Sequence, residues 1–174
     1  MWGNTPYPLE RNNGNVTHHD IYVSLEHYGY PLISHVPLEQ GRVLPVETLV
    51  LEILDKTTHI REAEGIPIIL SRTGVSPKTL TANARRRGLT RKTGYICELA
   101  LRLFEETGIT ENREELKTAA DELYPHNEDE EIALVQGLPA ELVEHFRQND
   151  YLERKWGIVG CVDYSSIKKL LKKR

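Results

Sequence analysis

Seven basic side chains lie within residues 65–97, a stretch of the sequence that contains no Asp or Glu. Such cations contact phosphate oxygens, and Arg and Asn also read guanine and adenine edges in the DNA major groove. A local basic patch of this kind indicates an electrostatic interface for nucleic acid. The residues that we expect to contact double-stranded DNA are Lys78, Thr79, Asn83, Arg85, Arg86, Arg87, Arg91 and Lys92.

Residues 66–89 predict the helix-turn-helix that would present these side chains. This motif often has a glycine in its turn and an apolar anchor on the second helix. Gly74 and Leu80 fit these two positions. Ser76 and Pro77 form a helix start signal, because Ser caps free N–H groups and Pro suits the first helical position. We therefore predict one helix on each side of Gly74.

The same pattern has a second interpretation. Any two helices joined by a glycine turn in a helical bundle would produce it, with the arginines merely solvated. Leu70, four residues before the glycine, is larger than the small residue usual where two such helices cross. Arg85, Arg86 and Arg87 occupy consecutive helical positions, so they cannot all face one groove.

No residue pattern in the sequence predicts catalysis or a metal site. His18, His19, His27 and His35 are close in sequence, but their spacing matches neither a helical zinc motif nor a Cys/His finger. The chain has no phosphate-binding loop of the GxxxxGKS or GxxxxGKT type and no GxSxG nucleophile elbow. We expect no catalytic residue, no metal and no cofactor.

Acidic side chains are concentrated in residues 105–131, which hold eleven of them against two basic ones. We interpret this segment as a solvated acidic face. Its alternative uses are to dock a basic partner or to cover the basic patch of the same chain. The charge becomes positive again near the end, in KKLLKKR, and the formal net charge is -4.

Length and composition indicate a globular intracellular protein. The 174 residues suffice for one domain or one and a half, with a substantial core. Cys97 and Cys161 lack metal-site spacing, so we expect two buried free thiols. The apolar runs are far shorter than the roughly 20 residues that span a bilayer, and the start has no signal-peptide pattern. These features predict a cytoplasmic protein without a membrane partner.

The first part of the chain predicts a small sheet. Residues 20–25 alternate between apolar and polar side chains, which is typical of a half-buried strand. Residues 32–36 and 42–44 are candidate partners for this strand. We therefore predict an α+β fold in which a small amino-terminal β-sheet packs on a mainly helical body, with residues 1–44 as arm and sheet and residues 45–174 as the helical domain.

The helical body follows from apolar periodicity and end signals. Predicted features are a helix starting at Pro45, helices over 67–73, 77–87 and 93–106, a helix capped by Thr110, a helix starting at Pro139, a strand or buried turn over 157–162, and a last helix capped by Asp163 or Ser165.

Part of the chain resembles a known family. The matching residues are Val43, Pro45, Val46, Glu47 and Leu49, then Ala84, Gly88, Leu89, Arg91, Gly94, Tyr95, Glu98 and Leu99. This course is similar to the helical region of abortive-infection Ei type antitoxins, which belong to type IV toxin-antitoxin systems, and of nucleotidyltransferase-associated proteins. The resemblance implies a regulator, and the Gly-Ser and Asp pairs of active nucleotidyltransferases do not occur here.

The sequence thus favours a non-enzymatic regulator of the antitoxin or transcriptional-regulator kind, which binds DNA or a partner protein. One alternative is a catalytically inactive nucleotidyltransferase-like subunit. Another is a protein-protein adaptor that docks through the acidic segment or forms a homo-oligomer. Steep salt dependence would identify DNA binding, while a large apolar patch or a stable oligomer would identify an adaptor.

Overall fold

A computed structural model gives the fold and describes residues 14–32, 41–124, 130–160 and 162–173. These residues are mainly helical, and none of their helices combines the length and apolar composition needed to cross a bilayer. In chain order the elements are α1 (His18–His27), α2 (Val46–Lys56), α3 (Ile60–Leu70), α4 (Pro77–Arg86), α5 (Thr90–Thr107), α6 (Arg113–Leu123), β1 (Ile132–Ala133), α7 (Ala140–Phe146), α8 (Tyr151–Trp156), β2 (Ile158–Val159) and α9 (Tyr164–Leu171).

The predicted amino-terminal sheet is wrong, because residues 20–25 belong to helix α1. The Thr17 side chain accepts a hydrogen bond from the Asp20 N–H, and the Asp20 carboxylate accepts one from the Thr17 N–H. This reciprocal capping box starts a helix. The buried apolar residues are Ile21 and Leu25, four positions apart, with buried Ser24 between them. This spacing is helical, so the alternation in the sequence was coincidental.

Residues 41–45 are not a strand. They lie beside α1, and side chains of α1 accept hydrogen bonds from their backbone N–H groups. The Arg42 N–H donates to Asp20 Oδ1 at 2.9 Å. The Leu44 N–H donates to Ser24 Oγ at 2.9 Å. These bonds satisfy backbone groups that a neighbouring strand would otherwise have satisfied. The third predicted piece, residues 32–36, lies outside the described residues except for Leu32.

The sheet of the described residues is in the carboxyl-terminal half of the chain. Strands β1 and β2 are parallel, with Ile132 opposite Ile158 and Ala133 opposite Val159. The Ile132 N–H donates to the Gly157 carbonyl at 2.9 Å. The part of the chain that the structure describes is therefore helical with one minimal two-stranded ladder, and the predicted strand or turn over 157–162 contains β2.

Helix α3 differs from the prediction, which placed a short helix at residues 67–73. The helix begins at Ile60 and contains Pro67 in its interior. An interior proline costs a backbone hydrogen bond and favours a kink. Residues 62–70 of this helix are all buried, and their packing offsets the local cost. Pro67 was therefore wrongly interpreted as the first residue of a helix, because it lies in the interior of α3.

Helix α5 is the central element, because α2, α3, α4, α6, α8 and α9 all contact it. It confirms the helix predicted at residues 93–106, with an additional turn at its start. Gly94 leaves room for the indole ring of Trp156, which would overlap any Cβ atom there. The Trp156 Nε1–H donates to Glu98 Oε2 at 2.8 Å. This contact joins α8 to the central helix.

The hairpin between α5 and α6 turns at Gly108, whose φ of 73° suits glycine. Asn112 precedes α6 as its N-cap, so the predicted cap, Thr110, lies two residues too early. The Asn112 side-chain amide donates to the carbonyls of Leu70 and Thr73 at 2.9 and 3.0 Å. Asn112 therefore fixes the hairpin to the end of α3.

Candidate nucleic-acid interface

Helix α4 is firmly seated on the helical body. Leu80, Thr81 and Ala84 form its buried side, and the helix packs against α2, α5 and α6. Its N-cap is Ser76, whose side chain accepts from the Thr79 N–H at 3.3 Å. The Ser76 N–H donates to Glu47 Oε1 of α2 at 2.6 Å. The N–H groups of Ser76 and Thr79 at the start of α4 therefore have protein partners.

Five of the predicted DNA-contacting residues form what we call the α4 outer face: Lys78, Thr79, Asn83, Arg85 and Arg86. All are exposed except Asn83, which is half-buried. Helical geometry spreads them over about half of the helix circumference, opposite the buried side. The Arg86 guanidinium donates to Asn83 Oδ1 at 2.9 Å. This bond orients the arginine while leaving most of its donors open.

Helix α6 borders the α4 outer face on one side. The Arg85 guanidinium donates to the Glu122 carbonyl at 2.6 Å. The Thr81 hydroxyl donates to the Glu122 carboxylate at 2.8 Å. These bonds join α4 to the end of α6 at Glu122. Glu122 was not predicted as part of the site, and its partner on α4 is 41 positions away in sequence.

Arg87 faces away from the α4 outer face. Its guanidinium forms ion pairs with Glu52 at 3.0 Å and with Asp55 at 2.8 Å, both on α2. Its side chain is 23% exposed. A guanidinium held by two carboxylates has its charge offset and its donors engaged. The structure therefore assigns Arg87 to the contact between α2 and α4.

Arg91 and Lys92 are also separated from the α4 outer face, because only 7% and 6% of their surfaces are exposed. The Arg91 guanidinium donates twice to the Glu130 carbonyl, at 2.6 and 2.8 Å. The Lys92 ammonium donates to the Leu54 carbonyl at 3.1 Å, near the end of α2. Burial lowers the pKa of Lys92, although Asp55 opposes this shift. Both cations satisfy backbone carbonyls inside the protein.

The connection between α3 and α4 is longer than the turn of roughly three or four residues in a helix-turn-helix. It comprises residues 71–76, and α4 packs mainly on helices other than α3. Gly74 does not have a positive φ, and a Cβ atom there would meet only Asn112 Oδ1 at 3.8 Å. The two helices flank Gly74 as predicted, but this backbone does not require a glycine.

The other candidate residues do not form a reactive site within the described ranges. His18, His19 and His27 lie on α1, and His35 is outside those ranges. No group of three or more His, Cys, Asp and Glu side chains in the described part of the chain could hold a metal ion. Cys97 is a free buried thiol, and burial raises its pKa to about 12. Cys161 lies outside the described ranges.

Comparison with protein-family models, curated proteins and solved structures found no match for this chain. The similarity to abortive-infection antitoxins therefore stays a prediction from the sequence.

Proposed function

We propose that this chain is a non-enzymatic, cytoplasmic DNA-binding regulator of the antitoxin or transcriptional-regulator kind, which contacts duplex DNA through the α4 outer face. The observation that supports this proposal is the asymmetry of α4. Its inner side is buried, while Lys78, Arg85 and Arg86 are exposed on a helix without any acidic residue. A rigid helix with an exposed basic side suits the major groove, which is about 12 Å wide and admits one helix.

The residue types of the α4 outer face divide between two kinds of DNA contact. Lys78 and Thr79 are suited to phosphate oxygens, which position a protein on DNA without reading sequence. Asn83 and Arg86 are suited to base edges, since Asn pairs with adenine and Arg with guanine. The bond between these two side chains holds them side by side. Such a pair could read neighbouring base pairs.

The charge of α6 restricts how DNA approaches. Glu114, Glu115 and Asp121 are exposed on α6, which packs beside α4. These carboxylates repel phosphates, so the duplex should lie over α4 and away from α6. The same acidic surface is the docking site in the rival adaptor hypothesis. A binding assay with variants of both helices separates the two hypotheses.

The test compares charge reversal on α4 with equal charge reversal on α6. We expect Lys78→Glu with Arg86→Glu to weaken binding of duplex DNA by at least about tenfold at roughly 50 mM salt, because phosphate contacts dominate affinity. The matched control is Arg113→Glu with Lys117→Glu, whose side chains are exposed on α6. Fluorescence anisotropy with labelled genomic fragments measures the affinity, and melting curves verify folding.

Equal losses in both double variants would show that only overall charge matters, and the α4 interface would be rejected. Absence of DNA binding by the wild-type protein at this low salt would reject the regulator proposal as a whole. The adaptor hypothesis would then take its place, with the acidic surface of α6 as the candidate docking site.

A further inference from the structure

A pocket of about 570 Å³ lies where the start of α9 meets α5 and the segment before α8. This volume falls within the range of about 300–1,000 Å³ typical of small-ligand sites. Four cations and a single carboxylate are among its lining residues, which are Arg102, Gln148, Asp163, Tyr164, Ser165, Lys168, Lys169 and Lys172. None of these residues belongs to the α4 outer face.

Helical spacing explains why the lysines converge. Ser165, Lys169 and Lys172 are three or four positions apart and share one face of α9, and Lys168, four positions before Lys172, borders this face. The opposite face carries the buried residues of this helix. Like charges at this spacing destabilise a helix. Glu106 offsets the charge of Lys168, and an anion beside Lys169 and Lys172 would reduce the repulsion that remains.

Nearby carboxylates already have partners in the fold. Asp163 Oδ1 accepts from the Ser165 and Ser166 N–H groups at 2.9 and 3.3 Å, and its Oδ2 accepts from the Ser166 hydroxyl at 2.6 Å. These bonds lower the pKa of Asp163 against the opposing effect of burial. Glu106 is shared by Lys168 and Arg102. Lys169 and Lys172 are exposed at the pocket, and the charge of Lys169 also contributes to lowering the pKa of Asp163.

The Arg102 side chain lies on one side of the pocket, where two carboxylates hold its guanidinium group. Its Nη1 donates to Asp150 Oδ2 at 2.6 Å, and its Nε donates to Glu106 Oε1 at 3.3 Å. The guanidinium carbon lies 5.6 Å from the centre of the Tyr164 ring. A guanidinium has five N–H donors. Arg102 is thus held in place and can still donate into the pocket.

We propose that this pocket, the α9 pocket, binds the phosphate group of a small phosphorylated molecule. A phosphate monoester presents three acceptor oxygens and close to two negative charges. Lys169, Lys172 and Arg102 line the same open pocket, which provides several donors for a compact dianion. The Ser165 hydroxyl can donate to the same group. This site is separate from the DNA interface proposed above.

Isothermal titration with inorganic phosphate, followed by adenosine monophosphate, tests this proposal on the full chain in a phosphate-free buffer. The test variant is Lys169→Gln with Lys172→Gln. Its matched control is Lys117→Gln with Lys173→Gln, which removes the same charge from exposed positions outside the pocket. We expect the pocket variant to bind phosphate about tenfold more weakly or worse, since charge-assisted hydrogen bonds are lost. The control should bind like the wild-type protein.

The proposal is overturned if wild-type protein shows no heat of binding with millimolar phosphate or adenosine monophosphate. It is also overturned if the control loses as much affinity as the pocket variant. A third contrary outcome is a pocket variant that keeps phosphate affinity but loses duplex DNA affinity, because α9 would then contact a nucleic-acid backbone. Unchanged DNA binding by the pocket variant is expected, so failure here leaves the α4 proposal standing.

Discussion

Whether a basic side chain is exposed or buried depends on bonding partners that a count of charges does not reveal. Lys78 and Arg86 project outward, while Lys92 lies inside and donates to the Leu54 carbonyl. That carbonyl is near the end of α2, where helix carbonyls lack partners within the helix. The sequence therefore pointed to five residues on the outer side of α4 among the eight that it named. It did not separate them from Arg87, Arg91 and Lys92, whose side chains bond to other groups of the protein.

Gly94 and Gly74 should differ in how substitution by alanine changes the free energy of unfolding. Gly94→Ala should lower the free energy of unfolding by about 1–3 kcal/mol, because the new Cβ atom must displace the Trp156 ring. Gly74→Ala meets only an ordinary contact, and it should be neutral or stabilise by up to about 1 kcal/mol by restricting the unfolded chain. Urea unfolding of both variants measures these changes.

The Gly74 variant also serves as the control for the Gly94 variant, since both add one methyl group. A large loss of stability in Gly74→Ala would mean that the connection between α3 and α4 needs glycine after all. An unchanged Gly94→Ala would mean that Trp156 does not lie against α5 as described.

At the scale of elements, the helices predicted best were those with start signals in adjacent residues. Ser76 and Pro77 begin α4, and Asp163 caps α9 through the N–H groups of Ser165 and Ser166. Such caps depend on neighbours in sequence, so they can be read before the fold is known. The candidate face on α4 was predictable for the same reason.

Strand β1 was missed because it depends on a partner that is distant in sequence. The strand β1 exists because residues 132–134 meet residues 157–159, and a two-residue strand has no periodicity of its own.

Helix α1 was mistaken for a strand because Ile21, Val23 and Leu25 alternate with polar residues. The capping box of Thr17 and Asp20 was a local signal that could have corrected this assignment.

A substitution of Asp20, which is 1% exposed, tests the capping box at the start of α1. Burial alone would raise the pKa of Asp20, but bonds from the Thr17 and Arg42 N–H groups outweigh it and lower the pKa below 3.8. Asp20→Asn has one acceptor oxygen for these two donors. It should lower the free energy of unfolding by about 1–3 kcal/mol at neutral pH, because one backbone donor loses its partner and the ion pair between Asp20 and Arg42 is removed.

The sign of the pH dependence follows from the lowered pKa. The ionised Asp20 stabilises the fold above pH 3.8, and this contribution is lost as the pH falls through the lower pKa of the folded state. The difference between wild type and Asp20→Asn should therefore shrink in acid. Exposed Glu26 of the same helix gives the control Glu26→Gln, expected to change stability by less than about 0.5 kcal/mol. A difference that is constant from neutral to acidic pH would contradict the capping role.

At the scale of the whole molecule, charge is segregated despite a formal net charge of only -4. The α4 outer face and the α9 pocket are basic, while α6 exposes carboxylates beside α4. Segregated charge steers a polyanion toward one surface and away from another. The two basic regions lie on different elements, so they can be neutralised one at a time.

The salt dependence of duplex DNA affinity tests the role of the α4 outer face most directly. Each phosphate contact contributes about -0.9 to the slope of log affinity against log salt concentration. Lys78→Gln with Arg86→Gln should make the slope shallower by about 1–2, while Lys169→Gln with Lys172→Gln should leave it unchanged. Equal slopes for wild type and the α4 variant, or a shallower slope only in the α9 variant, would contradict the proposed interface.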